Sequence, residues 1–342
     1  MARLAPRVLL AAAIAAAACS DPATAPDATP SPRSLTPLGA NMQASPTDPD
    51  IIRHINPPHG PKDDVSSALY TGSVINGRIN YHTGGSVLQA KTNVVAVYWA
   101  SAPIFTNGPA AGTTGTGAQD GSLIGVFLRS IGGSSYYNIN TSYYNGSGTH
   151  IANVVNYTGF WANNTSVPAN GANVTDQQMI AMLQSGFTSG KLTYDPSTLY
   201  VIFSAGTVNL GGGFGTQYCA YHAHGTVTVG GVAKTVLYSA MPYNASNGGC
   251  LAQNQGPNYA YDHGVDPEVS VLVHETEETT TDELGNAWFD SRGYENADKC
   301  AWTWGTTKTA PNGAAYNITL GGYNFLIQRN WIATNGGCAM SH

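Results

Sequence analysis

Eleven of the chain's 20 acidic residues lie between Asp262 and Asp298, and only Arg292 is basic in that window. Surface solubility does not require such crowding, and like charges repel unless something positive sits among them. A bound cation is the economical explanation. The same stretch carries a clear helix signal. Asp266 can cap, Pro267 suits the first helical position, and Glu268 suits the positive end of the helix dipole. Val269, Val271, Leu272 and Val273 predict that the helix is largely buried, Thr279-Thr280-Thr281 weaken it, and Leu284-Gly285 ends it.

Within this helix stands His274-Glu275-Thr276-Glu277-Glu278. His274 and Glu278 are i and i+4 and point from one face. The spacing is that of the HExxH zinc helix, with Glu278 in place of the second His. There the outer residues hold the metal and the intervening Glu, here Glu275, activates its bound water. Glu295 follows His274 at a distance similar to that of the third ligand of gluzincin-type zinc peptidases, and Asp298 resembles the supporting acid nearby. The expected set is therefore His274, Glu278 and Glu295 as metal ligands, Glu275 as general base and Asp298 behind them. Zn²⁺ is the first expectation. Two carboxylates and one imidazole make a hard site, so Ca²⁺ and Mn²⁺ are compatible. The plainer reading is a solvated or salt-bridged helix face, since HExxE alone is a weak motif.

Cys219-Ala220-Tyr221-His222-Ala223-His224 reads as a strand with both histidines on one face. A partly exposed polar pair is the plainer reading, and His222 is the one to line a cleft and stabilise an oxyanion. His263 is a weaker candidate. His54, His59 and His342 fall in stretches read as tails and are set aside. Cys219, Cys250, Cys300 and Cys338 are disulfide candidates; four cysteines allow three pairings, and proximity favours Cys219–Cys250 and Cys300–Cys338. No GxSxG elbow, Walker loop or dinucleotide fingerprint occurs in a suitable context.

Residues 1–19 read as a signal peptide. Arg3 and Arg7 precede the short apolar run Val8–Ala18, and Ala16-Ala17-Ala18 before Cys19 resembles a lipoprotein signal with Cys19 lipidated. Residues 20–66, rich in Pro, Ala, Thr, Ser and Asp, read as a flexible tether. Residues 67–342 are expected to form one globular domain. Net charge is −6 with 14 Lys and Arg, so no basic stripe points to nucleic acid.

Thr92–Trp99 and Thr198–Ser204 predict buried strands, and Asp120–Ile131 and Thr175–Phe187 predict amphipathic helices, the second with a Thr175/Gln178 capping box. Gly230-Gly231 and Gly321-Gly322 predict hairpins. The expected class is α+β, a mixed and mostly antiparallel sheet with a buried HExxE-bearing helix, resembling a zincin-type metallopeptidase core.

Val265–Asp290 (VDPEVSVLVHETEETTTDELGNAWFD), then Glu295–Cys300, Asn324–Trp331 (NFLIQRNW) and Cys338, is similar to the phosphate-induced protein or Exordium family. Upstream, Val94–Trp99, Leu199–Phe203 and Cys219–His222 resemble family segments in the same order. Ala220 in place of Gly, and Cys250 alone in place of a Cys-rich segment, depart from the pattern. The resemblance implies an extracellular protein, tied in plants to growth and cell expansion, and supplies no biochemical activity. The functional expectation is an exported, lipid-anchored metal-dependent hydrolase of peptidase type, acting on a peptide or cell-surface polymer. Its membrane contact would run only through the lipid. The alternative is a non-catalytic cell-surface module with a structural cation, with Trp288, Trp302 and Trp304 stacking on glycan.

Overall fold

The computed structural model describes residues 40–58, 69–206, 208–211, 213–245, 247–334 and 336–342. The expected signal peptide, Cys19 and the first half of the expected tether lie outside the described residues. The strands of the first part are β1 (Met42–Ala44), β2 (Ile52–Asn56), β3 (Asn80–Tyr81), β4 (Thr92–Trp99), β5 (Thr114–Thr116), β6 (Val155–Trp161), β7 (Thr198–Ser204), β8 (Ala220–Val229) and β9 (Val232–Met241). All but β3 form one eight-stranded sheet in the order β1-β2-β8-β9-β7-β4-β6-β5. Its pairings are antiparallel at both flanks and parallel for β9-β7, β7-β4 and β4-β6. The class is α+β, as expected.

Three helices cover the sheet: α1 (Leu123–Ile131), α2 (Asp176–Thr188) and α3 (Val265–Thr281). Strand β7 shows why TLYVIFS is apolar throughout. Leu199, Val201 and Phe203 join the core shared with α1 and α3, while Tyr200 and Ile202 join the core shared with α2. A central parallel strand buried on both faces cannot alternate with polar residues.

The starts of α1 and α2 follow side-chain caps. The Thr175/Gln178 box opens α2 as expected. Helix α1 begins three residues later than predicted, because Ser122 caps it by accepting from Gly125 N, and Asp120 instead accepts from Ser122 and the hydroxyl of Tyr157. Helix α3 begins earlier than predicted, at Val265. The Asp262 carboxylate accepts from Gly264 N, so Pro267 sits inside the first turn, where no backbone donor is needed. Asp266 is no cap; it accepts from Asn258.

The tether reading fails for residues 40–58. β1 (Met42–Ala44) pairs with β2 (Ile52–Asn56), and β2 pairs with β8, so the sheet begins inside the stretch whose composition suggested a linker. The run Ile51-Ile52-Arg53-His54-Ile55 supplies the burial that pins it. After α3 come β10 (Trp288–Phe289), paired with β3, and three short hairpins: β11 (Lys308–Thr309) with β12 (Ala315–Tyr316), β13 (Ile318–Leu320) with β14 (Tyr323–Phe325), and β15 (Asn330–Ile332) with β16 (Gly337–Ala339).

Cys219–Cys250 and Cys300–Cys338 are the two disulfides, the pairing that proximity favoured. They fit an oxidising, extracytoplasmic compartment. Among the described residues no helix is long and apolar enough to cross a membrane. Trp288, Trp302 and Trp304 are 3 %, 6 % and 2 % exposed, so they pack in the core and are not stacking faces for glycan.

Candidate metal centre

Helix α3 packs against β2, β8 and β9 and is buried over nearly all its length. A Thr-rich helix tolerates this because each hydroxyl finds a partner in the preceding turn. Thr276, Thr279 and Thr280 donate to the carbonyls of Leu272, Glu275 and Thr276, each at 2.7 Å. The helix thereby carries His274, Glu275 and Glu278 into the interior. On the facing strands His54 and His222 are directly opposed in the antiparallel register, with rings stacked at 4.6 Å. The loop after β10 brings Glu295 and Asp298. It is fixed locally, since Glu295 N donates to Asp298 Oδ2 and Asp298 N donates to Glu278 Oε1, both at 3.0 Å.

Seven side chains thus converge in three overlapping groups: His274, Glu278 and Asp298; His222, Glu275 and Glu278; and His54, His222 and Glu295. His274 Nε2 lies 3.0 Å from Glu278 Oε1 and 3.6 Å from Asp298 Oδ1. His222 Nδ1 lies 3.3 Å from Glu275 Oε2 and 3.6 Å from Glu278 Oε2, and its Nε2 lies 4.0 Å from Glu295 Oε1. His54 Nδ1 meets Glu295 Oε2 at 2.6 Å. None of the seven is more than 4 % exposed.

Burial sets the protonation. It holds Glu275, Glu278, Glu295 and Asp298 well above the usual carboxylate range, and neighbouring carboxylates raise them further. It pushes His54 down to about 3, holds His222 far below its ordinary value, and lowers His274 against the opposing pull of Asp298. Burial therefore favours the uncharged form of each group. Among the close contacts, His54 Nδ1–Glu295 Oε2 and His222 Nδ1–Glu275 Oε2 are hydrogen bonds. A divalent cation reverses the balance, because its ligands bind deprotonated.

Four buried ring or carboxylate atoms that face this space have no hydrogen-bond partner: His222 Nε2, His274 Nε2, Glu275 Oε1 and Glu295 Oε1. Such atoms are costly to bury unless something binds them. The orientation of His274 is fixed from behind, with Nδ1 3.2 Å from Gln328 Oε1 while Gln328 Nε2 donates to Ala297 O. That contact assigns the proton to Nδ1 and leaves the Nε2 lone pair for a metal. The mixture of imidazole and carboxylate suits Zn²⁺ or Mn²⁺.

All six residues singled out from the helix and its surroundings come together here. Their grouping differs from the expectation. The expected triad of His274, Glu278 and Glu295 is not one of the three groups. Asp298 stands beside His274 and Glu278, and Glu295 turns to the two strand histidines. The Asp298 backbone amide reaches Glu278 directly, which draws Asp298 inward. His222 belongs to the cluster, whereas His224 belongs to none of the groups. His54, set aside as a tail residue, is a full member. Its signal was the β-branched cluster Ile51, Ile52 and Ile55 around it, which favours a strand.

The rest of the acidic window is accounted for by donors. Asp262 accepts from Thr106 N, Glu268 from Asn244 N, Glu277 from Asn330 Nδ2, Asp282 from Ala287 N and Glu283 from the Ser86 hydroxyl, while Asp290 pairs with Arg292 and Lys299. With Asp266 on Asn258, seven acids of the window hold loops, and Glu275, Glu278, Glu295 and Asp298 face one another, Glu278 and Asp298 doing both. A scan against family models, a search of curated proteins and a search of solved structures each found no match to this chain.

Proposed function

We propose that the chain is an exported metal-dependent hydrolase of peptidase type, with the metal held by His274, Glu278 and Asp298 and with Glu275 as the proton acceptor. One observation carries the reading: Glu275, between two ligands of the same helix, keeps a buried carboxylate oxygen without a partner, facing the ligand cluster. The helix with its downstream acids is similar to a zincin-type arrangement, with Glu278 at the second histidine's position and Asp298 in place of the expected Glu295. A cation bound there supplies polarisation of a substrate carbonyl and a lowered pKa for water. Glu275 Oε1 takes the proton from the attacking water and returns it to the leaving amine. His222 Nδ1 holds the other oxygen, Oε2, and so orients the carboxylate. The two disulfides and the resemblance of Val265–Cys300 to a secreted family support export.

The test is cleavage of a mixed peptide library by the metal-loaded protein, read by mass spectrometry. Glu275→Gln is expected to slow cleavage at least ~100-fold with metal content unchanged. A folded, metal-loaded protein that leaves the library intact, or a variant that cleaves as fast, overturns the reading.

A second reading is favoured by the closure of the site. Three cavities among the described residues, of about 490, 260 and 120 Å³, are lined by residues outside the seven. In this reading the cation is structural. It joins β2, β8, α3 and the 295–298 loop of a cell-surface module, and chelation unfolds the protein without any activity to lose.

A further inference from the structure

The cluster holds more ligands than one ion needs. We propose a second cation site beside the first, built by His222 Nε2, Glu295 and His54, so that the chain holds two divalent ions separated by Glu275 and Glu278. The inference rests on the metal-holding part of the reading above.

Three observations carry it. First, the two central histidines repeat one pattern. His274 has Nδ1 on Gln328 and a bare Nε2 facing Glu278 and Asp298. His222 has Nδ1 on Glu275 and a bare Nε2 facing Glu295 Oε1, which is bare as well. An acceptor behind each ring and a free nitrogen in front is how metal-ligating histidines are oriented. The two bare nitrogens belong to different ligand groups, so each group keeps its own imidazole donor.

Second, the Glu278 carboxylate stands between the two histidines. Oε1 is turned to His274 Nε2 and Oε2 to His222 Nδ1, so it belongs with the first ion and leaves His222 Nε2 to the second.

Third, two ions match the charge of the ligand set. The seven residues include four carboxylates and three imidazoles, and among the described residues none of these carboxylates forms an ion pair with a lysine or arginine. With neutral imidazoles, one divalent ion leaves two negative charges uncompensated in the interior. Two divalent ions leave none. An uncompensated charge in so buried a place is costly, and the remedy must come from a cation or from protons.

The experiment uses the full chain, stripped of metal and titrated with Co²⁺ or Mn²⁺ alone, with bound metal counted by mass spectrometry. The expected result is two ions per chain. His54→Gln or Glu295→Gln is expected to leave one, and His274→Ala to leave one of the other kind. Two Mn²⁺ ions are expected to show exchange-coupled electron paramagnetic resonance. One ion per chain in the unaltered protein, lost in His274→Ala and kept in His54→Gln, overturns the second site and leaves the first. No bound ion overturns both. Where a variant fails to fold, the stoichiometry and the resonance spectrum of the unaltered chain decide.

Discussion

Arg53 and His54 are neighbours on one strand and point to opposite faces of the sheet, into two very different polar centres. Arg53 meets Asp176 at the start of α2, at 2.6 Å, with the hydroxyls of Tyr221 and Tyr238 on the other carboxylate oxygen and the guanidinium 4.5 Å over the Tyr221 ring. One positive and one negative group sit together, joined by the Arg53 Nε–Asp176 Oδ2 hydrogen bond at 2.8 Å. His54 enters a centre of four carboxylates and three imidazoles, in which, among the described residues, no carboxylate forms an ion pair with a lysine or arginine. Both centres are buried to a similar degree. The difference is that the first is neutral by itself and the second is neutral only with protons or with cations from outside. Burial of charge alone is therefore a poor guide to function. The balance of the buried charge separates a structural pair from a ligand site.

That contrast breaks or sharpens under substitution. The largest loss of stability from a single substitution is expected from Arg53→Met, which strands Asp176. Breaking a buried pair costs about 3–5 kcal/mol, and thermal unfolding of the variant should fall accordingly, with metal content untouched. An equal loss of bound metal would show that the two centres are one. Chelation should act on the other side only. Removing ions present at a hundred to a thousand times their dissociation constant costs roughly 3–4 kcal/mol each, and the drop in melting temperature should be the same in Arg53→Met as in the unaltered chain.

A smaller effect is expected at Glu268, an α3 carboxylate outside both centres. Burial pushes it up to about 8 from an ordinary 4.5, opposed by the amide of Asn244. A carboxyl raised in the fold contributes most below its unfolded value, and that contribution is lost as pH rises through the folded one. Glu268→Gln keeps an acceptor for Asn244. It should gain stability relative to the unaltered chain as pH climbs from about 4.5 to about 8, by a few kcal/mol at most on the alkaline side. A parallel pH course for the two proteins would refute the assignment. The smallest effect is expected from Gly285→Ala. Gly285 has φ +65°, and a Cβ there collides with His54 Nε2. The left-handed backbone costs about 1–2 kcal/mol. The displaced imidazole should weaken metal uptake at the His54 side while the His274 side keeps its ion.

The helical part of the centre was legible because His274, Glu275 and Glu278 lie within one turn and a half, and Glu295 and Asp298 follow closely. Local spacing is what a sequence displays. The strand part was not, for two reasons. Residues 40–58 have the composition of a linker, so Ile51–Ile55 went unread as a strand. The pairing of β2 with β8 is also a contact that no short window contains. The same limit explains the grouping. Sequence distance put Glu295 nearest the helix in expectation, whereas the inward amide of Asp298 decides which acid stands beside His274. The sheet was read well where strands are buried on both faces, as in β4 and β7, and less well at the short flanking pairs.

The contact between His54 and Glu295 joins residues 241 positions apart. Loops that long close late and at an entropic cost that grows with their length. The ligand shell can therefore be complete only after nearly the whole chain has reached its native topology. A metal added at the start of refolding should find helix α3 and its downstream loop first, and the strand histidines last. Uptake of ions then becomes a clock for folding, with a slow final phase that ends when the first sheet strands dock.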